Sequence, residues 1–345
     1  MIQSIQLLRG IAAYSVVLFH TTEFITANQP SAKIFDFAIG AAGVDLFFVI
    51  SGFVMVYVTK PSAKPVDFML RRLIRIAPLY WLCTVSVIGM VFLVPWSFQN
   101  VDLSWPSVIM SLTFLPAYNE AELVQPILFL GWTLNYEMFF YCVFALALFL
   151  PSSQRLAGIF AGILLTWIIA SMFGSGAIKE FYGNAVVFEF LLGCLVGRAV
   201  MSKTFMSYVS RGVGYSLIFL ALALFVSGQT FFEVLRETDR LVRWGVPSVL
   251  MLLGAVIVEM KTKNHTTVPF LLLGDSSYSA YLLHPFIVVI YGTICLRIMP
   301  DNGITTLAIL IGILVLTAIA ATISYKLIEI RFSEWLKANM LNKGR

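Results

Sequence analysis

Residues 9–20 read RGIAAYSVVLFH, an uncharged and mostly apolar run with an arginine at one end and a histidine at the other. Similar runs recur along the chain of 345 residues, of which 59% are hydrophobic and 12% charged, and the mean hydropathy is +0.90. A soluble domain usually carries about 25% charged residues. Because about 20 apolar residues form a helix that can cross the hydrocarbon core of a bilayer, the sequence predicts an all-α polytopic membrane protein.

Charged residues, prolines and glycines divide the apolar sequence into about ten predicted transmembrane helices. These helices lie near 6–26, 38–59, 74–95, 128–150, 155–173, 184–200, 212–228, 242–260, 276–297 and 303–329. The segment 104–117 is apolar but too short to cross, which predicts a re-entrant or interfacial piece. The sequence has no internal repeat, so we predict a single transmembrane domain over residues 1–345 with no soluble extracytoplasmic domain.

The basic residues predict the orientation of the chain in the membrane. With the N-terminus inside, 17 of the 23 lysines and arginines fall on the cytoplasmic side and six on the outer side. This excess favours both termini in the cytoplasm. The basic residues lie in short loops and form no stripe, so the net charge of +5 predicts no nucleic-acid partner. The four cysteines lie inside apolar spans without metal-ligand spacing, and no metal site is predicted.

Arg9 and His20 lie on the same face of the first predicted helix, about 16 Å apart along its axis. Ionisable residues inside a bilayer are costly and usually mark a site or a pathway. A basic group near the cytoplasm and a titratable base deeper in could line a channel. The alternative is an arginine that reaches the membrane interface and a histidine that is hydrogen-bonded for structural reasons.

A second group of ionisable residues lies in RRLIRIAPLYW, residues 71–81. Arg71, Arg72 and Arg75 have helical spacings that predict three guanidinium groups on one side of the helix, at the cytoplasmic end of the third span. Guanidinium groups bind phosphate with paired hydrogen bonds. The alternative is a topology anchor that contacts anionic lipid headgroups.

The stretch GAAGVDLFFVISGF, residues 40–53, combines glycines with two polar residues deep in a predicted span. Gly40, Gly43 and Gly52 predict close helix packing. Asp45 and Ser51 supply the polar groups. We expect Asp45 to support the site by pairing with an arginine, and the Arg71–Arg75 cluster is one source of that partner.

The stretch GWTLNYEMFFY, residues 131–141, places Glu137 in the outer half of the membrane. Glu137 could be a structural hydrogen-bond acceptor, or it could orient a histidine or bind sugar hydroxyls. Trp132 would then be a stacking surface for the sugar, with Tyr136 one turn further along the helix. Tyr141 follows Glu137 by one turn.

The stretch GDSSYSAYLLHPF, residues 274–286, precedes and begins the ninth predicted span. Asp275 or Ser276 is expected to cap this helix. Tyr278, Tyr281 and His284 fall at intervals of three residues, roughly on one face. Pro285 weakens the local backbone hydrogen bonding.

Taken in this order, these stretches resemble the membrane-bound acyltransferase-3 family, whose bacterial members O-acylate the sugars of lipopolysaccharide, exopolysaccharide and peptidoglycan. The matching elements are Arg9 with His20, GVDLFFVISGF, RRxxRIxPxYW, GWTLxxExxFY and SYxxYLxHP. Many relatives carry a C-terminal extracytoplasmic SGNH-type domain. This sequence ends soon after its last predicted span, which places the resemblance nearer the short exopolysaccharide-modifying members.

The resemblance implies transfer of an acyl group, usually acetyl from acetyl-CoA, to a carbohydrate hydroxyl, with Arg9 and His20 as an essential pair. The hypothesis that follows places the CoA phosphates at the Arg71–Arg75 cluster and lets Arg9 hold the donor or polarise its thioester. His20 would act as general base or as a transient acyl carrier, and Glu137 would orient His20 or the sugar. No metal is required.

The predicted partners are a glycan or lipid-linked saccharide acceptor and membrane lipid, in the inner membrane of a bacterium, with a homodimer among the oligomeric states that the sequence allows. The main alternative is a proton-coupled transporter of sugars or other small molecules, which the missing inverted repeat disfavours. A structural or assembly protein is a third class, but it leaves the placement of Arg9 and His20 unexplained.

Overall fold

The computed structural model describes residues 2–29, 37–93, 101–231, 240–262, 271–300 and 302–341. Across these ranges the chain forms fifteen α-helices and no β-strand. The helices are α1 Gln3–Asn28, α2 Gly43–Val58, α3 Pro65–Leu93, α4 Trp105–Leu112, α5 Gly131–Ala147, α6 Arg155–Phe173, α7 Gly176–Tyr182, α8 Val187–Met201, α9 Lys203–Tyr208, α10 Arg211–Phe231, α11 Val246–Lys261, α12 Leu271–Asp275, α13 Ser277–Ile298, α14 Gly303–Ser324 and α15 Ser333–Leu341.

Every predicted span coincides with one of these helices. Eight helical segments of the described chain are long and apolar enough to cross a membrane: Ala38–Val58, Pro65–Leu93, Arg155–Phe173, Gly176–Met201, Arg211–Gln229, Leu241–Lys261, Ser277–Ile298 and Gly303–Leu336. The other two predicted spans correspond to α1, which has 26 residues, and α5, which has 17. The prediction of an all-α polytopic membrane protein is confirmed.

Helix α3 differs from its predicted span, whereas α4 agrees with the prediction of a short piece that does not cross. Helix α3 begins at Pro65, nine residues before the predicted span, because proline suits the first helical position and Asp67 favours the first turn. The predicted piece 104–117 contains α4, whose 8 residues extend only about 12 Å and cannot cross a bilayer. Asp102 lies outside the spans, and hydrogen bonds donated by Ser107 and Ser104 lower its pKa.

The chain divides into two compact units. The first unit comprises Met1–Tyr57 and Leu192–Leu327. Here α1 packs against α11, α12, α13, α14 and the short 3₁₀-helix Ala38–Ala42. A Cβ on Gly40 would lie 2.4 Å from the carbonyl oxygen of Ser15, and a Cβ on Gly43 would lie 2.3 Å from that of Ala12. The close packing predicted for these two glycines is therefore confirmed.

The second unit comprises Val58–Leu191 and Ile328–Arg345. Helix α3 packs against α4, α5 and α15, and α5 packs against α6. Buried tyrosines join these helices through backbone carbonyls: the Tyr80 hydroxyl donates to Ser111 O at 3.0 Å, and the Tyr136 hydroxyl donates to Phe181 O at 2.7 Å. The Tyr136 ring also stacks on the Phe181 ring with centroids 3.7 Å apart, so Tyr136 has a packing role.

Candidate active site

The contact between α1 and α12 sets the register of the first unit's polar residues. A Cβ on Gly274 would lie 1.9 Å from the carbonyl oxygen of Gln6, and a Cβ on Gly10 would lie 3.2 Å from the Gly274 nitrogen. Only glycine fits at 274 without displacing backbone. His20 follows Gly10 by ten residues and so lies about 15 Å further along α1. His284 lies on α13, beyond the turn at Ser276 that separates α13 from α12.

At that level His20 and His284 form a hydrogen bond. The distance between His20 Nδ1 and His284 Nε2 is 3.0 Å. The ring centroids are 5.1 Å apart and the ring planes differ by 21°, so the two rings are nearly parallel. His284 is fully buried, whereas His20 is half-buried. The sequence placed both histidines inside spans but did not predict that they pair.

Near the contact between α1 and α12, Arg9 belongs to a chain of hydrogen bonds. Arg9 Nη1 donates to Gln6 Oε1 at 3.2 Å, and Gln6 Nε2 donates to Asp275 Oδ1 at 2.7 Å. Sequence reasoning missed Gln6, although its position one turn before Arg9 is a signal that could have found it. Ser276 occupies the N-cap position of α13, as expected, but α13 has no side-chain capping hydrogen bond. Asp275 accepts from Gln6, and the Ser276 hydroxyl donates to Leu272 O.

Asp45 is fully buried in the first unit and does pair with an arginine. Its partner is Arg240, so the expectation of a partner from the Arg71–Arg75 cluster is wrong. Arg240 Nε donates to Asp45 Oδ1 at 2.9 Å and Arg240 Nη2 donates to Oδ2 at 2.7 Å, while Nη2 also donates to Ala41 O at 3.1 Å. The two-pronged geometry suits a planar guanidinium. Asp45 therefore anchors the start of α2 to the segment before α11.

In the second unit the three clustered arginines have different environments. The Arg72 guanidinium carbon lies 5.2 Å from the centre of the Phe68 ring and 5.4 Å from that of Tyr141, at distances typical of cation–π contacts. The Tyr141 hydroxyl donates to Glu137. Arg71 is exposed and Arg75 half-buried. That the three guanidinium groups converge on one side of the helix stays a prediction.

The remaining predicted residues lie in the same two units. In the first unit the Tyr281 ring lies 6.1 Å from His284 and 6.1 Å from Phe47, centroid to centroid. Tyr278 is buried beside it on α13, and Ser51 lies half-buried on α2. In the second unit the Trp132 ring meets Tyr136 edge-on at 5.9 Å. Among the described residues, no group of three or more His, Cys, Asp or Glu side chains could hold a metal ion.

Comparisons with known proteins identify the family. Residues 2–326 match the acyltransferase-3 family, described as an acyltransferase domain. The chain is 35% identical to the exopolysaccharide production protein ExoZ of Rhizobium meliloti over 318 residues, which cover 90% of this chain and 92% of that protein. It is 24% identical to the O-acetyltransferase OatA of Staphylococcus aureus over 93% of this chain and 55% of that protein. No solved structure matches. The chain therefore belongs to the acyltransferase-3 family and is a membrane-embedded acyltransferase.

Proposed function

We propose that this chain transfers an acyl group, namely acetyl, from cytoplasmic acetyl-CoA to a hydroxyl of an exported or cell-surface glycan, in the cytoplasmic membrane of a bacterium. The observation that carries the proposal is the hydrogen bond between His20 and His284 inside the spans of an acyltransferase. A histidine is the side chain best suited to accept a hydroxyl proton near neutral pH. The relationship to an exopolysaccharide production protein and an O-acetyltransferase supports the glycan acceptor and the acetyl group.

In the proposed reaction His20 removes the proton of the acceptor hydroxyl as its oxygen attacks the thioester carbon. The new ester bond forms while the carbon–sulfur bond breaks, and the thiolate of CoA takes up a proton as it leaves. In the alternative with a covalent acyl-histidine intermediate, the ring of His20 attacks the thioester first and holds the acyl group until the hydroxyl accepts it. Arg9, about 16 Å from His20 along α1, is proposed to help hold the acyl donor away from the reacting carbon.

The arginines of the second unit are proposed to bind the phosphates of the donor. Arg72 is suited to this role because the rings of Phe68 and Tyr141 lie against its guanidinium group and restrict its orientation. The hydrogen bond from Tyr141 to Glu137 in turn fixes the Tyr141 ring. Arg75 and the exposed Arg71 would add charge-assisted hydrogen bonds to the same phosphates. In this proposal Glu137 acts through Tyr141 and Arg72 or orients the sugar, with Trp132 as the stacking surface for the sugar.

The test is acetyl transfer by the purified chain in proteoliposomes, with radiolabelled acetyl-CoA and candidate glycans. We expect His20→Ala and Arg9→Ala to reduce transfer by about 10²–10⁴-fold, the usual contribution of a positioned acid–base group. His265→Ala, which changes the third histidine of the chain and lies outside the described residues, is the matched control. Equal label on glycan for all variants would overturn the proposal.

Two further readouts separate the alternatives. Label that stays on wild-type protein in the absence of acceptor, and is missing from His20→Ala, identifies the acyl-histidine intermediate. Label that passes to glycan without a protein-bound stage identifies direct transfer. Acetyl-CoA that neither binds nor turns over, together with uptake of unmodified sugar into the vesicles, would replace the acyltransferase mechanism by a transport function.

A further inference from the structure

The partners of His284 determine which of its ring nitrogens carries a proton. His284 Nδ1 lies 3.3 Å from the backbone carbonyl oxygen of Ala280. A carbonyl oxygen can only accept, so Nδ1 of His284 must donate. A backbone carbonyl one turn earlier on α13 therefore provides the acceptor for the Nδ1 proton.

This proton determines the state of the neighbouring ring. His284 is 0% exposed, and a charge on a fully buried ring is costly, so His284 is neutral and its Nε2 is an acceptor. The partner of that acceptor is His20 Nδ1, 3.0 Å away. His20 Nδ1 must therefore carry a proton and donate it, which makes Nε2 the unprotonated nitrogen of a neutral His20 ring.

We infer that His284 is a positioning residue that sets the tautomer of His20 through a relay from His20 Nδ1–H to His284 Nε2 and from His284 Nδ1–H to the Ala280 carbonyl. The relay presents His20 Nε2 as the base or nucleophile and rests on the proposed function of His20. No carboxylate is needed for this role, because a backbone carbonyl supplies the acceptor at the end of the relay. This assigns different tasks to the two histidines of one hydrogen-bonded pair.

The relay also strengthens as the reaction proceeds. When His20 Nε2 takes a proton or an acyl group, the ring becomes positively charged and its Nδ1–H bond to His284 becomes charge-assisted. The stronger bond stabilises the charged ring without moving any side chain, which is the effect expected of a preorganised site. His284 itself, fully buried, is inaccessible to a substrate, whereas half-buried His20 can meet one.

The relay can be tested by ¹⁵N magnetic resonance of the full chain in lipid nanodiscs, labelled with [¹⁵N]histidine in a His265→Gln background. We expect wild-type His20 and His284 each to show a protonated Nδ1 and an unprotonated Nε2. In His284→Gln the amide oxygen still accepts from His20 Nδ1–H, so the tautomer is kept. In His284→Leu the acceptor is lost and His20 becomes a mixture of tautomers.

Acetyl transfer gives a second readout with the same variants. We expect His284→Leu to lower kcat by about 10²–10⁴-fold, the usual contribution of a positioned acid–base group, and to leave the KM for acetyl-CoA unchanged. The upper limit, about 10⁴-fold, is the loss that a wrong histidine tautomer causes in a serine protease. We expect His284→Gln to recover most of that loss. A merely structural role for His284 predicts instead that Gln and Leu lose activity together with the folded fraction.

The outcomes separate the inference from the proposed function. A wild-type spectrum with a protonated His20 Nε2 overturns the relay whatever the activity. The relay is also overturned if His284→Gln has no higher kcat than His284→Leu when the two variants have equal thermal stability. His20→Ala retaining full transfer overturns the proposed function and with it the catalytic meaning of the relay, while the spectrum still reports the tautomer. The wild-type spectrum decides the tautomer even where His284→Leu fails to fold.

Discussion

The two units hold their buried ionisable groups in different ways. In the first unit the partners are far apart in sequence: His20 and His284 by 264 residues, Gln6 and Asp275 by 269, and Asp45 and Arg240 by 195. In the second unit Phe68 lies four residues before Arg72 on α3, and Glu137 lies four residues before Tyr141 on α5. The first unit therefore forms these three contacts by helix packing, whereas the second obtains the Phe68–Arg72 and Glu137–Tyr141 contacts within single helices.

This difference predicts different responses to substitution. A change that alters helix–helix distance in the first unit should disturb several polar groups at once, because packed helices cannot shift one contact alone. A change in the second unit should act on one group, because one turn of helix brings its partner close whatever the neighbouring helices do. The following predictions are arranged from the largest expected effect to the smallest.

Gly274→Val should break the first unit's arrangement most severely. The added Cβ would lie 1.9 Å from Gln6 O, which forces α1 and α12 apart and removes both the Arg9–Gln6–Asp275 chain and the register of the two histidines. We expect a destabilisation above about 4 kcal/mol and no measurable transfer. Gly89→Val is the matched control, because a Cβ on Gly89 would meet nothing within 4 Å. Equal thermal midpoints for the two variants in detergent would contradict the prediction.

Asp45→Ala should come next, because it leaves Arg240 without its carboxylate partner. Loss of one member of a buried pair typically costs about 3–5 kcal/mol. The double variant Asp45→Leu with Arg240→Leu should recover part of that loss, which a double-mutant cycle of thermal stabilities would measure. Asp67→Ala, at an exposed acid in the first turn of α3, is the control. Additive effects of the two leucine substitutions would show that the pair contributes nothing.

Arg72→Ala should have a smaller and more local effect. We expect the KM for acetyl-CoA to rise by about 10–100-fold, as for the loss of a charge-assisted hydrogen bond, with a small change in thermal stability. Tyr141→Phe removes the hydroxyl that joins Arg72's ring partner to Glu137 and should raise KM less. Arg211→Ala is the matched control, since Arg211 also lies over a ring, that of Tyr215, at 5.9 Å. The same KM for Arg72→Ala and Arg211→Ala would exclude a phosphate-binding role for Arg72.

Glu259→Gln should give the smallest effect. The Glu259 carboxylate accepts hydrogen bonds from the backbone nitrogens of Gln3 and Ser4 at 2.8 and 2.7 Å, and so caps the start of α1. A neutral amide loses the charge at the helix terminus but keeps one acceptor, so we expect a loss of about 0.5–1 kcal/mol. Glu120→Gln in an exposed loop is the control. A change in transfer without a change in thermal midpoint would point to a role other than capping.

Much of the fold and part of the site could be predicted from the sequence. The apolar runs located every span, and the order of the motifs indicated the family, because hydrophobic length and local residue patterns are properties of contiguous sequence. The adjacency of Glu137 and Tyr141 could be predicted for the same reason. The partner of Asp45 could not, since an arginine 195 residues away is no more marked in the sequence than the nearer cluster. Arg71 and Arg72 are neighbours in sequence, yet a helix points consecutive side chains about 100° apart, so their environments differ.

The sequence by itself determined that the chain is a helical membrane protein with His20 and His284 inside its spans. Backbone groups in lipid must be hydrogen-bonded within the segment, which favours helices, and ionisable side chains there are costly, which marks the two histidines as unusual. Only the tertiary structure decided that these two histidines meet, since the meeting requires α1 and α12 to approach as closely as Gly274 allows and α13 to continue in matching register. It also decided which nitrogen of each ring carries the proton. That choice depends on a carbonyl oxygen and a second ring placed by packing, and no spacing within a single helix specifies both.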